Sequence, residues 1–217
     1  MNTQRKNSLL LLLCAFIWGT AFVAQSAGSG MGACSFLAGR SWLAVLVLLP
    51  TVKVFDLVRQ RSTGTTGAPK TPEERRCLRK ASLVCGTLLF VASAAQQFGL
   101  TLNPSTAKAG FLTAMYVVLV PICGLFLKKK VSPAVWISVL LGVAGLYCLC
   151  IKENFTIAPS DLLVLLCAFG YTLHILVIDY FTQKVDGVKM SCIQFLTCAI
   201  LSAILMLIFE NPTWADI

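Results

Sequence analysis

The chain predicts an all-α membrane protein: a bundle of about seven transmembrane helices, in which one complete five-helix repeat is followed by the first two helices of an inverted second repeat. Three observations carry this expectation. Hydrophobic residues make up 57% of the chain and charged residues 12%, with a mean hydropathy of +0.81, whereas a soluble domain carries about 25% charged residues. The apolar residues gather into runs close to the ~20 residues that a helix needs to cross a bilayer. One of these runs also returns, since Leu10-Leu-Leu-Leu-Cys14-Ala15-Phe16-Ile-Trp18 reappears as Leu163-Val-Leu-Leu-Cys167-Ala168-Phe169-Gly-Tyr171. The copies lie an odd number of spans apart, so the second enters the membrane from the opposite face.

The runs fall at 8–28, 31–52, 81–102, 105–127, 132–151, 161–181 and 190–209. The first imitates a secretory signal, with Arg5-Lys6 before it and Ala24-Gln25-Ser26-Ala27 after it, but its recurrence as an internal helix makes it a retained span. The short connections Ala27-Gly28-Ser29-Gly30 and Asn103-Pro104-Ser105 force their flanking helices into antiparallel hairpins. Residues 53–80 are read as a cytoplasmic loop, either a solvated connector or a contact for anionic lipid headgroups. The second half of this loop is expected to be helical, with Thr71 as cap, Pro72 in the first turn and Glu74 completing a capping box. In the fourth span Pro121 is expected to kink the helix and free a carbonyl. Gly142 and Gly145 in the fifth are expected at a close helix contact.

On this reading 8–151 forms the first repeat and 161–209 part of a second. A complete two-repeat protein of this plan needs about 300 residues, so the chain is read as incomplete and weak in function by itself.

The net charge of +9 does not indicate nucleic acid, because of where the basic residues stand. With a cytoplasmic N-terminus, Arg5, Lys6, the basic residues from Lys53 to Lys80, Lys128 to Lys130, Lys184 and Lys189 all fall inside, against Lys152 outside. That bias sets the orientation in the plasma membrane, or inner membrane of a bacterium, with the N-terminus in and the C-terminus out. The bilayer is then the principal partner, and self-association into a homodimer is a further expectation.

Of the ten cysteines, nine lie within the expected spans, where Cys behaves as a small hydrophobe. Cys148 and Cys150 are about 200° apart around a helix and cannot chelate one metal from one face. No metal and no cofactor is expected. Asn154-Phe155-Thr156 satisfies a glycosylation sequon on the outer side but lies too close to the membrane to be used.

Polar groups inside a span mark either a cavity or a helix contact. Ser82, Gly86, Ser93, Gln97 and Thr101 share a narrow arc of the third span, and Thr106, Gly110, Thr113, Val117 and Gly124 do so in the fourth. Tight packing accounts for both stripes as well as a pathway does. Arg40 lies well inside the second span, where it snorkels, pairs or serves a pathway. Lys108, one turn into the fourth span, reads as an interfacial anchor. His174, the only histidine, falls near the middle of the sixth span on a face with Cys167, Gly170 and Tyr171; it is either a proton relay or a neutral hydrogen-bonded side chain. Asp179 reads as a boundary residue. No carboxylate lies near the middle of any span, and an organic cation would need one for neutralisation in low dielectric. That favours a neutral or anionic small-molecule solute. The candidate lining residues are Trp18, Arg40, Gln97, Thr113 and His174.

Phe16-Ile17-Trp18-Gly19-Thr20, Arg40, the segment Thr106-Ala107-Lys108-Ala109-Gly110-Phe111-Leu112, Pro121 before a basic turn, Trp136 and Gly142-Val-Ala-Gly145 together resemble the EamA-type drug/metabolite transporter superfamily. The resemblance covers about residues 8–209. It implies ten helices in two inverted five-helix repeats around a central cavity, and secondary transport, read as export, of small metabolites or drugs by alternating access. Lys128-Lys129-Lys130 departs from the family pattern in lacking an acidic residue after the fourth span. Two alternatives stand beside transport. One is a membrane-embedded enzyme, for which the lone His174 supplies no catalytic pair; the other is a non-transporting helical membrane fragment or a partner-binding protein.

The orientation is checked by labelling intact cells with an impermeant thiol reagent. Thr65→Cys is expected to stay unlabelled until the membrane is opened, and Thr156→Cys to label at once. External labelling of Thr65→Cys would overturn the topology.

Overall fold

The computed structural model describes residues 3–65, 67–69, 71–102, 106–150 and 158–210, and these are almost wholly helical. The elements are α1 (Thr3–Ala27), a 3₁₀ turn (Gly28–Gly30), α2 (Ala33–Thr63), α3 (Pro72–Leu102), α4 (Thr106–Ala114), α5 (Tyr116–Phe126), α6 (Pro133–Cys150), α7 (Pro159–Thr182) and α8 (Gly187–Phe209). With α4 and α5 taken as one broken span, they match the seven expected runs in order. Six spans are long and apolar enough to cross a membrane among the described residues. The fifth expected span is α6, whose apolar stretch Pro133–Gly145 falls short of that length.

Several ends follow from local chemistry. α2 continues for three turns past its apolar run and stops at Gly64, whose left-handed backbone (φ 69°) lets its N–H reach the Gln60 carbonyl. α3 begins at Pro72, with the Thr71 hydroxyl accepting from the Glu74 N–H at 3.1 Å. The connector within 53–80 is therefore only residues 64–71, and the rest of that segment is helix. The break in the fourth span falls at Met115, whose N–H turns back to the Leu112 carbonyl at 3.2 Å. Pro121 sits inside α5, which continues through it. The expected kink thus lies six residues ahead of the proline, at a tight i−3 turn. The expected sequon at 154–156, the expected external segment 152–159 up to residue 157, and the turn at 103–105 lie outside the described residues.

The core is built across the two expected halves. α3 packs chiefly on α7 and α8, α2 on α8, and α4 and α5 on α7, while α1 and α6 lie at the margins. Small residues set the closest crossings. A Cβ added to Gly86 would lie 2.7 Å from the Gln194 carbonyl oxygen of α8, and one added to Gly170 of α7 would lie 3.0 Å from the Cβ of Ala92 in α3. Lipid offers no hydrophobic drive between helices, so close contact of this kind carries the association. Gly142 and Gly145 correct the expectation made for them. Both are exposed on α6, with nothing within 4 Å of an added Cβ, because α6 sits at the edge of the described bundle.

One carboxylate ties the end of α8 to the start of α2. Glu210 accepts from the Cys34 and Ser35 N–H groups, each at 2.7 Å, and from the Ser35 hydroxyl at 2.8 Å. These are orphan donors of the first helical turn, where negative charge is favoured. Partial burial pushes the Glu210 carboxyl up, but these hydrogen bonds outweigh it and hold it below the usual carboxylate range. A side chain at Gly32 would collide with that carboxylate.

Overpacking a tight crossing costs about 1–3 kcal/mol. Gly86→Val is therefore expected to lower the melting temperature in detergent by several degrees, whereas Gly142→Val leaves it unchanged. Equal effects at the two positions would contradict this packing.

Candidate functional site

A cavity of about 410 Å³ opens where α1, α2, α3, α7 and α8 converge. The close α3 crossings bring the polar residues together. α3 contributes Leu89 and Ser93 to the wall, α7 contributes Tyr171, His174 and Ile175, and α8 contributes Gln194, Phe195 and Cys198. Trp18 enters from α1, and Arg40 and Ser41 from α2.

The hydrogen bonding is sparse and specific. Ser93 Oγ and the Tyr171 hydroxyl are 3.1 Å apart. His174 Nε2 lies 3.3 Å from Gln194 Oε1, a hydrogen bond in the tautomer that carries the proton on Nε2. Ser41 Oγ is 3.5 Å from the Cys198 sulfur. These groups come from four helices, and each retains donor or acceptor capacity beyond the bond to its neighbour.

Among the described residues Arg40 is the sole charged side chain in the wall. It is half buried, with its guanidinium carbon 6.0 Å from the centre of the Phe36 ring, a weak cation–π contact. No carboxylate lines the cavity, and Arg40 makes no ion pair among the described residues. The site is electropositive and equipped for hydrogen bonding.

Three aromatic rings close one side. Trp18 stacks on Tyr116 with centroids 6.1 Å apart, and Tyr171 meets Trp18 at 6.2 Å and Tyr116 at 6.5 Å, both edge to face. Trp18 and Tyr171 stand at corresponding places in the two similar sequence segments, and their rings meet beside the cavity.

The structure brings Trp18, Arg40 and His174 together at this wall and sets Gln97 and Thr113 apart from it. Thr113 accepts a hydrogen bond from Gln96 Nε2 at 3.1 Å, joining α4 to α3. Gln97 is fully buried, and neither its amide nitrogen nor its oxygen has a partner among the described residues. Sequence reasoning passed over Ser41, Gln194 and Cys198. Gln194 carries the one legible signal, as the single amide in the last apolar run. No three His, Cys, Asp or Glu side chains among the described residues converge in a way that could hold a metal.

Ion pairs flank the site along α7. Near the start of α7, Asp161 pairs with Lys108 of α4, and both side chains are largely buried (6% and 19% exposed). Near its end, Asp179 pairs with Lys129, just after α5, and both are exposed. Lys108 and Asp179, expected as an anchor and a boundary residue, thus hold the same pair of spans together at opposite ends. At the α2–α8 contact Arg59 meets Asp186 at 2.6 Å and Lys189 meets Asp56 at 2.8 Å.

The sequence profile of the EamA-like transporter family matches residues 5–151. The chain is also 30% identical, over 195 residues, to an uncharacterized transporter of Archaeoglobus fulgidus. That alignment covers 89% of this chain and 55% of the relative, so the chain spans about half the length of the curated relative it matches. No solved structure matches the chain.

An unpaired buried amide costs about 1–3 kcal/mol. Gln97→Met, which keeps the volume and removes the polar atoms, is therefore expected to raise the melting temperature in detergent. A fall in stability would show that the amide is satisfied.

Proposed function

The chain belongs to the EamA-like transporter family, and from that premise we propose that the cavity is the solute site of a multi-pass secondary transporter exporting small metabolites or drugs across the plasma membrane. The observation that carries this reading is a cluster of hydrogen-bonding side chains and one guanidinium, gathered from four helices inside an apolar bundle. Burying such groups is costly unless something replaces their lost hydration. A solute held there does so.

The charge balance selects the solute. With Arg40 present and no carboxylate in the wall among the described residues, the cavity suits a neutral or anionic molecule. Trp18 and Tyr171 offer it flat apolar faces, and Ser93, His174 and Gln194 offer hydrogen bonds. Gln97 and Thr113 lie off this wall and belong to the path only as the solute moves. A buried amide retained at a cost in stability is a feature that function tolerates.

The route is alternating access. α7 runs past the cavity with Lys108–Asp161 near one end and Lys129–Asp179 near the other. Positive-inside bias assigns the first pair to the outer face and the second to the cytoplasmic face. Opening either face separates the α4–α5 span from α7 at one pair while the other holds. The meeting of Trp18 with Tyr171 supports an inverted-repeat arrangement of 8–151 and 161–209, because residues near a pseudo-two-fold axis lie close to their counterparts. Assignment of the activity to the whole protein rests on family membership.

Thermal stabilisation of the purified protein by a panel of amino acids, small carboxylates and organic amines tests the reading. Neutral or anionic solutes are expected to raise the melting temperature. His174→Ala is expected to weaken that binding at least fivefold without loss of membrane insertion. Stabilisation by amines alone would overturn it, and unchanged binding in His174→Ala would remove this residue from the site.

A further inference from the structure

We propose that the solute is an amphipathic organic anion whose charged head sits at Arg40 and whose apolar tail lies in a groove between α5, α6 and α7. The inference rests on the transport reading above and names the substrate class of the same cavity.

The groove is open and holds about 500 Å³, with Val117, Val120, Val135 and Val139 on its wall beside the Tyr116 ring. Ser138 is a polar side chain there, and its hydroxyl is committed to the Ala134 carbonyl at 2.9 Å. The groove therefore offers a ligand mainly aliphatic contact, with the Tyr116 ring at one side. The cavity next to it offers a guanidinium, hydroxyls, an imidazole and an amide.

The two spaces share a wall. Ile175 lines both, and Tyr116, which lines the groove, packs against Trp18 and Tyr171, which line the cavity. Ile175 and these rings therefore stand at the boundary between the two compartments. Each is within the range of a small-molecule site, and they meet charge first and hydrocarbon second. A ligand that fills both has one negative charge at one end and an alkyl or aryl body at the other. A small polar anion leaves the groove unfilled, and an amphipathic amine places its charge against Arg40.

Equilibrium binding of radiolabelled decanoate to the purified chain in nanodiscs tests this, with butanoate and decylamine as competitors. Burial of each methylene strengthens binding about fourfold. Decanoate is expected to bind at least 100-fold tighter than butanoate, and decylamine not to compete. Arg40→Gln is expected to weaken decanoate at least tenfold. Ser138→Trp and, independently, Val135→Trp are expected to fill the groove; both positions are exposed, so the bundle tolerates the larger ring. Each is expected to weaken decanoate at least tenfold and leave butanoate unchanged, a difference that partition of decanoate into the bilayer does not produce. Equal affinities for decanoate and butanoate would overturn the tail site while leaving the anion-binding cavity standing. Full decanoate binding in both groove variants would assign the groove to bilayer lipid and overturn the proposal. Binding of neither anion would remove it together with the anionic reading of the cavity, whereas stabilisation by neutral amino acids would still support transport.

Discussion

The bundle depends on the close approach of α3 to α7 and α8. Gly86 against the Gln194 backbone and Ala92 against Gly170 allow contact that larger side chains would hold apart. In a bilayer such contact replaces the hydrophobic drive that packs soluble cores. Its consequence reaches beyond stability. Because α3 is drawn this close, Ser93 is presented to Tyr171 and Gln194 is brought opposite His174. One stripe of α3 therefore serves both purposes, packing at Gly86 and lining the cavity at Ser93.

Charge is used mainly where the helices end. Glu210 caps the first turn of α2, and Asp186 caps α8 by accepting from the Val188 and Lys189 N–H groups at 3.1 and 3.0 Å. Asp186 also holds Arg59, and Asp56 holds Lys189 while accepting from the Gly67 N–H at 3.1 Å. Orphan donors at the start of α2 are satisfied by a carboxylate from the end of α8, and those of α8 by its own N-cap Asp186, which pairs with Arg59 of α2. Arg40 is the exception, a half-buried cation with an aromatic neighbour and no acid among the described residues.

Lys108–Asp161 and Lys129–Asp179 differ in what they can contribute. The first is shielded from solvent and the second is exposed. An exposed pair is worth little net energy, whereas separating a shielded one leaves two charges in a poor medium. The conformation is thus held more firmly at the Lys108 end of α7 than at the Lys129 end. The aromatic cluster lies between them, joining α1, α5 and α7 at the height of the cavity.

The helices, their order and the family resemblance were legible in the residues, because each apolar run must satisfy its own backbone inside a bilayer and does so as a helix. The capped start of α3 at Thr71 was equally legible, since a capping hydrogen bond is local. Trp18, Arg40 and His174 stood out as large or ionisable groups in hydrocarbon, where few such groups are placed without a partner or a task. Only the tertiary structure decided which polar residues share a wall. Gln97 and Ser93 belong to one helical stripe, yet the first is sealed away and the second faces the cavity. Gly142 looked like a packing glycine and has no neighbour, while Gly86 has α8 against it. Helical periodicity says which residues share a face; which helix covers that face, and how closely, is set by contacts between segments far apart in the chain.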